Sequence, residues 1–218
     1  MKASVYNMRF GTEKQLPLTI VQAGEPVLRK AARALRPNEI RSREIRELIQ
    51  QMKETMYAAP GVGLAAPQIG QGIQLAVIED RPEYVKDWTP EQLADRERQS
   101  VPFHVIINPR ITLLGEERIE YFEGCLSLEN LMALTPRARS VRVECVDERG
   151  EPKVIEASGW YARILQHEID HLAGTMYVDH MYPRTLMTVE NFTRHWKGKT
   201  LAELKKDLLA ADFADGRR

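Results

Sequence analysis

The stretch Gln166-His167-Glu168-Ile169-Asp170-His171 limits what this chain can fold into more than any other. The spacing predicts a helix from about Ser158 to Gly174. Tyr161, Ile164, Leu165, Ile169 and Leu172 fall at helical intervals, Ser158 suits an N-cap and Gly174 suits the first residue past the end. Positions i and i+4 of a helix share one face, so His167 and His171 can present two imidazole nitrogens to one metal ion. Glu168 sits about 100° further round, within reach of a water on that ion without being a ligand. Such an arrangement suits metal-assisted hydrolysis. The plainer reading is an amphipathic core helix that happens to carry two histidines. Two histidines at this spacing with a glutamate between them are uncommon enough to favour the metal. The rest of the fold must then bring a third ligand, a carbonyl-polarising group and a pocket to one face of this helix.

With 218 residues, 43% of them hydrophobic, the chain can bury the core of one domain carrying an insertion. Lys+Arg and Asp+Glu balance at 31 each, which argues against direct DNA binding and against a polybasic membrane anchor. No apolar run approaches the ~20 residues of a membrane-spanning helix. Residues Met1 to Met8 lack the apolar core of a signal peptide, so the expected location is cytoplasmic, with no membrane partner. Cys125 and Cys145 make no disulfide framework in a chain of this size.

Read in order, residues 1–17 form an N-terminal arm. A short strand is predicted at Leu18–Val21, a short helix from Pro26 to Leu35 and a longer helix from Glu39 to Ala58. The small-residue stretch from Ala59 to Gly70 reads as a loop whose backbone a ligand can approach, with Gln68 offering a side-chain donor. It does not match a phosphate-binding loop. A strand follows at Gln74–Ile78, then a polar surface insertion over 80–101, in which Thr89-Pro90 begins a helix. Strands are predicted at Val105–Pro109 and Ile111–Leu114, broken by Pro109. Val141–Val146 and Lys153–Ala157 read as a hairpin. Residues 183–218 form a C-terminal extension with an amphipathic helix marked by Leu201, Leu204, Leu208 and Leu209. The whole, 1–218, is read as a single catalytic domain.

A third ligand has several candidates. In H-E-x-x-H-x-x-G-x-x-H, Gly174 fits, but Tyr177 stands at the last histidine and His180 comes three residues late. Glu190 would serve a pattern that places a glutamate on a later helix. Upstream, Cys125 lies between Gly124 and Leu126, and a thiolate with two imidazoles is a legitimate set that leaves a fourth position open.

Three motifs now stand in order. Gly61-Val62-Gly63-Leu64-Ala65-Ala66-Pro67-Gln68, Glu123-Gly124-Cys125-Leu126-Ser127 and Gln166-His167-Glu168-Ile169-Asp170-His171 resemble the signature motifs of the peptide deformylase family, over about Leu18 to His180. That resemblance implies an α+β fold with antiparallel sheets around a central H-E-x-x-H helix, N-terminal helices and a C-terminal helix. It implies a hydrolase that removes the formyl group from the N-terminal formylmethionine of newly made polypeptides and releases formate. Cys125, His167 and His171 would hold one divalent ion, iron(II) foremost, with zinc, nickel or cobalt as alternatives. A water or hydroxide on that ion would be the nucleophile and Glu168 the general base, then acid. The Gln68 side chain and the Leu126 backbone N–H would stabilise the oxyanion. Gly63 would contact the peptide backbone, and Val62, Tyr121, Trp160 and Ile164 would line the methionine pocket. The partners implied are nascent N-formylmethionyl peptides and, through the C-terminal helix, the ribosome near its exit tunnel.

Two departures stand out. Arg163 occupies a position where the resemblance leads one to expect an apolar residue. After Ser127 the family usually continues with a small apolar residue and Pro, and often has a basic residue shortly after; here the chain reads Leu128-Glu129-Asn130-Leu131-Met132. His104, His180 and His195 lack metal-type spacing and read as structural. The rival readings are an H-E-x-x-H zinc peptidase with a different third ligand and a non-catalytic metal-binding or ribosome-associated module that has kept the fold.

Overall fold

The computed structural model describes residues 17–197 and 199–214, leaving most of the expected arm outside the described residues, together with the side chains of Leu201 and Leu209. Its centre is an antiparallel sheet. Strands β1 (Gly63–Ala65), β2 (Leu75–Asp80), β3 (Val101–Cys125), β4 (Leu128–Val146) and β5 (Pro152–Ser158) lie side by side in chain order, and β6 (Met187–Thr188) pairs with β4. The helices are α1 (Pro37–Ile40), α2 (Arg43–Ala58), α3 (Pro90–Asp95), α4 (Gly159–Ala173), α5 (Val189–His195) and α6 (Leu201–Ala214). This is the expected α+β architecture.

Alternation along the strands decides which helix packs where. On β2 and β3, Leu75, Val77, Val105 and Ile107 join the core built on α2 through Ile45, Leu48, Met52 and Met56. Their neighbours Ala76, Ile78 and Ile106 point the other way, into the core of α4 with Ala162, Ile164, Leu165 and Leu172. Each fully buried aliphatic side chain contributes roughly 1.5–3 kcal/mol. The H-E-x-x-H helix is thus clamped against one face of a sheet whose other face is sealed by α2.

The structure corrects several boundaries. The helix expected from Glu39 begins later: α1 ends at Ile40, and Ser42 starts α2 by accepting a hydrogen bond from the Ile45 N–H at 3.2 Å. The serine hydroxyl offers that amide a partner outside the helix ladder and so divides the two. Only Pro26–Arg29 forms a turn of 3₁₀ helix in the region expected to be helical up to Leu35. Leu18–Val21 is not a strand. It is an extended strap tied by single hydrogen bonds, from Leu18 N–H to Thr55 Oγ1 and from Val21 N–H to the Gln68 carbonyl. Part of the expected loop at 59–70 is strand β1, followed by a 3₁₀ turn over Ala66–Ile69. Pro109 does not end a strand. β3 runs through it at a register shift between Ile107 and Arg110, where Asn108 has φ +51°. A bulge is where a strand tolerates the missing proline N–H.

The insertion at 80–101 does more than decorate the surface. Asp80 and Arg98 form a buried ion pair at 2.8 Å, and the Arg96 carbonyl accepts the Trp160 N–H at 3.0 Å. That second bond satisfies the start of α4, where Ser158 occupies the cap position without a side-chain bond. Thr89 caps α3 as expected, accepting from the Gln92 N–H.

Candidate metal centre and its pocket

Helix α4 and the tip of the β3–β4 hairpin converge. Cys125 ends β3, and its Sγ lies 3.3 Å from His171 Nε2. One ligand atom from each of Cys125, His167 and His171 falls within 4.8 Å of the others. The two imidazoles meet nearly edge to face, with centroids 5.0 Å apart. A thiol and two imidazoles converging in this way are the donor set that borderline divalent ions take, so the residues fit such an ion. Among the described residues this is the one three-residue His/Cys/Asp/Glu cluster close enough to hold one.

The supports of these three side chains explain their placement. Gly174 ends α4 with φ +79°, and a Cβ there would meet the backbone of Arg29 and Lys30 at 2.9 Å. Glycine alone lets that segment pack under the last turn. His167 turns Nδ1 to Glu123 Oε2 at 3.1 Å, which leaves its other nitrogen for the centre. Burial works against a charged His167, but hydrogen bonds to Cys125 and Glu123 hold its proton affinity well above the ordinary value. Glu123 is held far below the usual carboxylate range, against its own burial, by His167 and Arg137. Arg137 grips both Glu123 oxygens, at 2.9 and 3.0 Å, and reaches Asp170 at 2.5 Å. Arg163 adds a second guanidinium to Glu123 Oε1 at 2.5 Å and donates to the carbonyls of Thr135 and Ile119. The unexpected arginine is therefore one of two guanidiniums that share a largely buried network with Glu123 and Asp170. Nothing in local spacing pointed to Arg137, because its partners lie 14 and 33 positions away.

Gln68 reaches the centre from the 3₁₀ turn. Its Oε1 accepts the Ala65 N–H at 2.8 Å, so its NH₂ group faces Cys125 Sγ at 3.5 Å and Ser127 Oγ at 3.4 Å. The strap that binds the Gln68 carbonyl through Val21 also binds the hairpin tip. Ala23 N–H donates to the Ser127 carbonyl and the Gln22 side chain donates to the Leu126 carbonyl. One segment thus fixes the spacing between Gln68 and Cys125. Glu168 is only 3% exposed and presses against Gly63. Burial pushes its carboxyl up to about 7, and Oε2 has no protein partner.

A cavity of about 320 Å³ opens from these groups, and Gly63, Gln68, Cys125, Leu126, His167 and Glu168 all line it. Val62, Trp160 and Ile164 form part of its wall. Tyr121 does not. It lines the neighbouring cavity, donates its hydroxyl to the Asp95 carbonyl and lies beneath Arg163, whose Cζ is 5.3 Å from its ring. The buried guanidinium takes the place between that ring and the pocket. Phe122, Leu131 and Val189 also line the cavity, and sequence periodicity had not singled them out. Glu190 is absent from the metal cluster and pairs with Arg194. His180 pairs with Asp170.

Comparison with known proteins gives one answer. A family profile described as polypeptide deformylase matches residues 17–186. The chain is 44% identical over 179 residues to the chloroplastic peptide deformylase 1A of Solanum lycopersicum, covering 82% of this chain and 65% of that protein. It is 44% identical over 186 residues to peptide deformylase 1 of Bifidobacterium longum, covering 85% of this chain and 82% of that one. The structure of a class I type b peptide deformylase from Acinetobacter baumannii, bound to Met-Ala-Ser, superposes with a TM-score of 0.67 at 30% identity, covering 75% of this chain and 98% of that chain.

Proposed function

The chain belongs to the polypeptide deformylase family, and from that premise we propose that it hydrolyses the N-formyl group from the N-terminal formylmethionine of newly made polypeptides, releasing formate. The observation that carries this reading is the convergence of Cys125, His167 and His171 at the end of a cavity that Glu168 and Gln68 also line. The whole chain acts as one catalytic domain. Cys125, His167 and His171 would hold a divalent ion, which we assign as iron(II), although zinc, nickel and cobalt suit the same donors. When bound, the ion supplies Lewis acidity, polarising the formyl carbonyl and making water acidic enough to attack at neutral pH.

The protein's own groups do the rest. Glu168 takes a proton from the attacking water as its oxygen bonds to the formyl carbon. The same carboxyl then gives that proton to the amine nitrogen as the C–N bond breaks, so formate and a free N-terminus leave. A carboxyl with affinity near neutrality suits both halves of this exchange. Gln68, locked by Ala65, aims Nε2 where the formyl oxygen gains charge, and the Leu126 backbone N–H is the second donor. One such donor is worth roughly 2.7–4 kcal/mol. β1 is an edge strand whose Gly63 lines the cavity, so an extended peptide can lie along it. Val62, Trp160 and Ile164 surround the methionine side chain, with Tyr121 behind them. The peptide bound to the Acinetobacter relative begins with methionine, which supports this placement.

Formate release from formyl-Met-Ala-Ser tests the proposal, using protein purified without oxygen and analysed for metal. Loss of formate on chelation is expected, and a metal-replete protein that releases none would overturn it. The tightness around Glu168 supplies a second expectation. A Cβ at position 63 would stand 2.1 Å from Glu168 Oε1 and 2.8 Å from its Cγ. Glu168 lines the cavity, so it would have to yield into that space and leave the position its chemistry needs. Gly63→Ala should therefore lower kcat about 10²-fold, the scale of a misplaced catalytic group, with the circular dichroism spectrum unchanged. Wild-type kcat in that variant would show that the carboxylate is not held where the mechanism needs it.

The proposed partner is the nascent formylated peptide itself. Docking of the C-terminal helix on the ribosome gains no support from the geometry: Leu204 of α6 is buried against the body and Lys205 pairs with Glu120 at 2.7 Å. Among the described residues no helix is long and apolar enough to cross a membrane. Cys125 and Cys145 are both free thiols, in keeping with the reducing cytoplasm we propose as the compartment.

A further inference from the structure

The family match ends at Leu186, yet the residues just beyond it build part of the cavity. Met187 and Thr188 pair with Met132 and Leu131 as β6. Thr188 then caps α5, its Oγ1 accepting the Asn191 N–H at 3.2 Å. Phe192 of that helix packs on Phe122 with ring centroids 4.8 Å apart. Val189, held between these anchors, lines the cavity beside Leu131 and Phe122. It is 44% exposed, whereas Ile164 of the same cavity is 3% exposed.

That gradient gives the cavity a direction. The formyl end must lie at the closed end, against Cys125 and Glu168, and the first side chain against the buried wall of α4. Everything after the first residue has to leave over the rim, where Val189 stands. Met132, close to where the resemblance leads one to expect a basic residue, is instead register partner to Met187 of β6.

We propose that the β6–α5 segment is the outer wall of the substrate groove and that Val189 reads the residues following the methionine, favouring apolar side chains there. This rests on the deformylase reading above. In this chain, recognition past the first residue is apolar contact with the C-terminal extension rather than charge on the β3–β4 hairpin.

The test uses the metal-loaded full chain with formyl-Met-amide, formyl-Met-Ala-Ser and formyl-Met-Leu-Phe, with formate as readout. Val189→Asp, a substitution at a half-exposed site, is compared with the conservative Val189→Leu. The expected result is a loss that depends on the peptide: KM raised about tenfold on formyl-Met-Leu-Phe with kcat retained, less on formyl-Met-Ala-Ser, and under about twofold on formyl-Met-amide, as removal of uniform binding predicts. Val189→Leu should keep the wild-type order of substrates. Equal KM ratios across the three substrates in wild type and Val189→Asp would overturn the proposal, as would an equal loss on formyl-Met-amide, which would place Val189 at the first side chain. If the unaltered chain releases formate from none of them, the parent reading fails, a result distinct from either.

Discussion

Glu168→Gln lowers kcat for formate release by about 10²–10⁴-fold, the usual worth of a positioned acid–base group, and leaves metal content at the wild-type level. Both halves follow from the geometry. The amide is nearly isosteric, so packing against Gly63 is preserved, but it can neither take a proton from water nor return one to the amine. Glu168 is not among the three residues whose ligand atoms converge, so the ion keeps its donors. Stability should not fall either. The Glu168 carboxyl is buried and pushed up to about 7, which means that the fold disfavours its ionised form, and a neutral amide removes that cost. A melting temperature at or above wild type together with collapsed kcat is therefore the signature of lost chemistry rather than lost structure. A Glu168→Gln protein that retains kcat within tenfold would move the proton transfer elsewhere. The same experiment separates an enzyme from a module that merely stores metal, because storage needs no carboxylate at this position.

How much of this was legible in the sequence depended on range. The H-E-x-x-H helix could be read because helical spacing, metal-ligand spacing and a terminal glycine all act within a few turns, and Gly174 does end α4. The β4–β5 hairpin was legible for the same reason, since alternation around a tight turn is local. β3 and β4 were not. Their 25 and 19 residues are interrupted by bulges, so the alternating pattern slips and Pro109 looks like an end. Cys125 could be offered as a ligand by its chemistry, but only the hairpin register brings it to His171. Motif position alone puts Tyr121 among the methionine-pocket residues. What displaced it was Arg163, arriving from another element. Val189 carried no signal at all, because its role comes from β6 pairing with a strand more than fifty positions earlier.

The buried network sets the second large effect: Glu123→Ala should destabilise the protein by about 3–5 kcal/mol, the cost of stranding buried charge. Arg137 and Arg163 are 6% and 4% exposed at their side chains, and both depend on the Glu123 carboxylate. Arginine does not shed its proton in a protein, so neither can escape the loss by neutralising. Asp170 compensates Arg137 in part, but Arg163 would keep only backbone carbonyls. For a chain of this size the melting temperature should fall by roughly 6–20 °C. His167 loses its Nδ1 acceptor in the same variant, and removing such a support typically costs 10–100-fold in metal affinity. Arg163→Met separates the two consequences. It leaves Glu123 gripped by Arg137 and bonded to His167, so metal affinity should stay near wild type and the stability loss should be smaller than in Glu123→Ala. Thermal melts in the presence of chelator isolate the network from the ion, and metal competition titrations then report on His167 alone. Matching melting temperatures for Glu123→Ala and wild type would mean that water reaches these guanidiniums, and the tight enclosure that positions His167 would have to be abandoned with it.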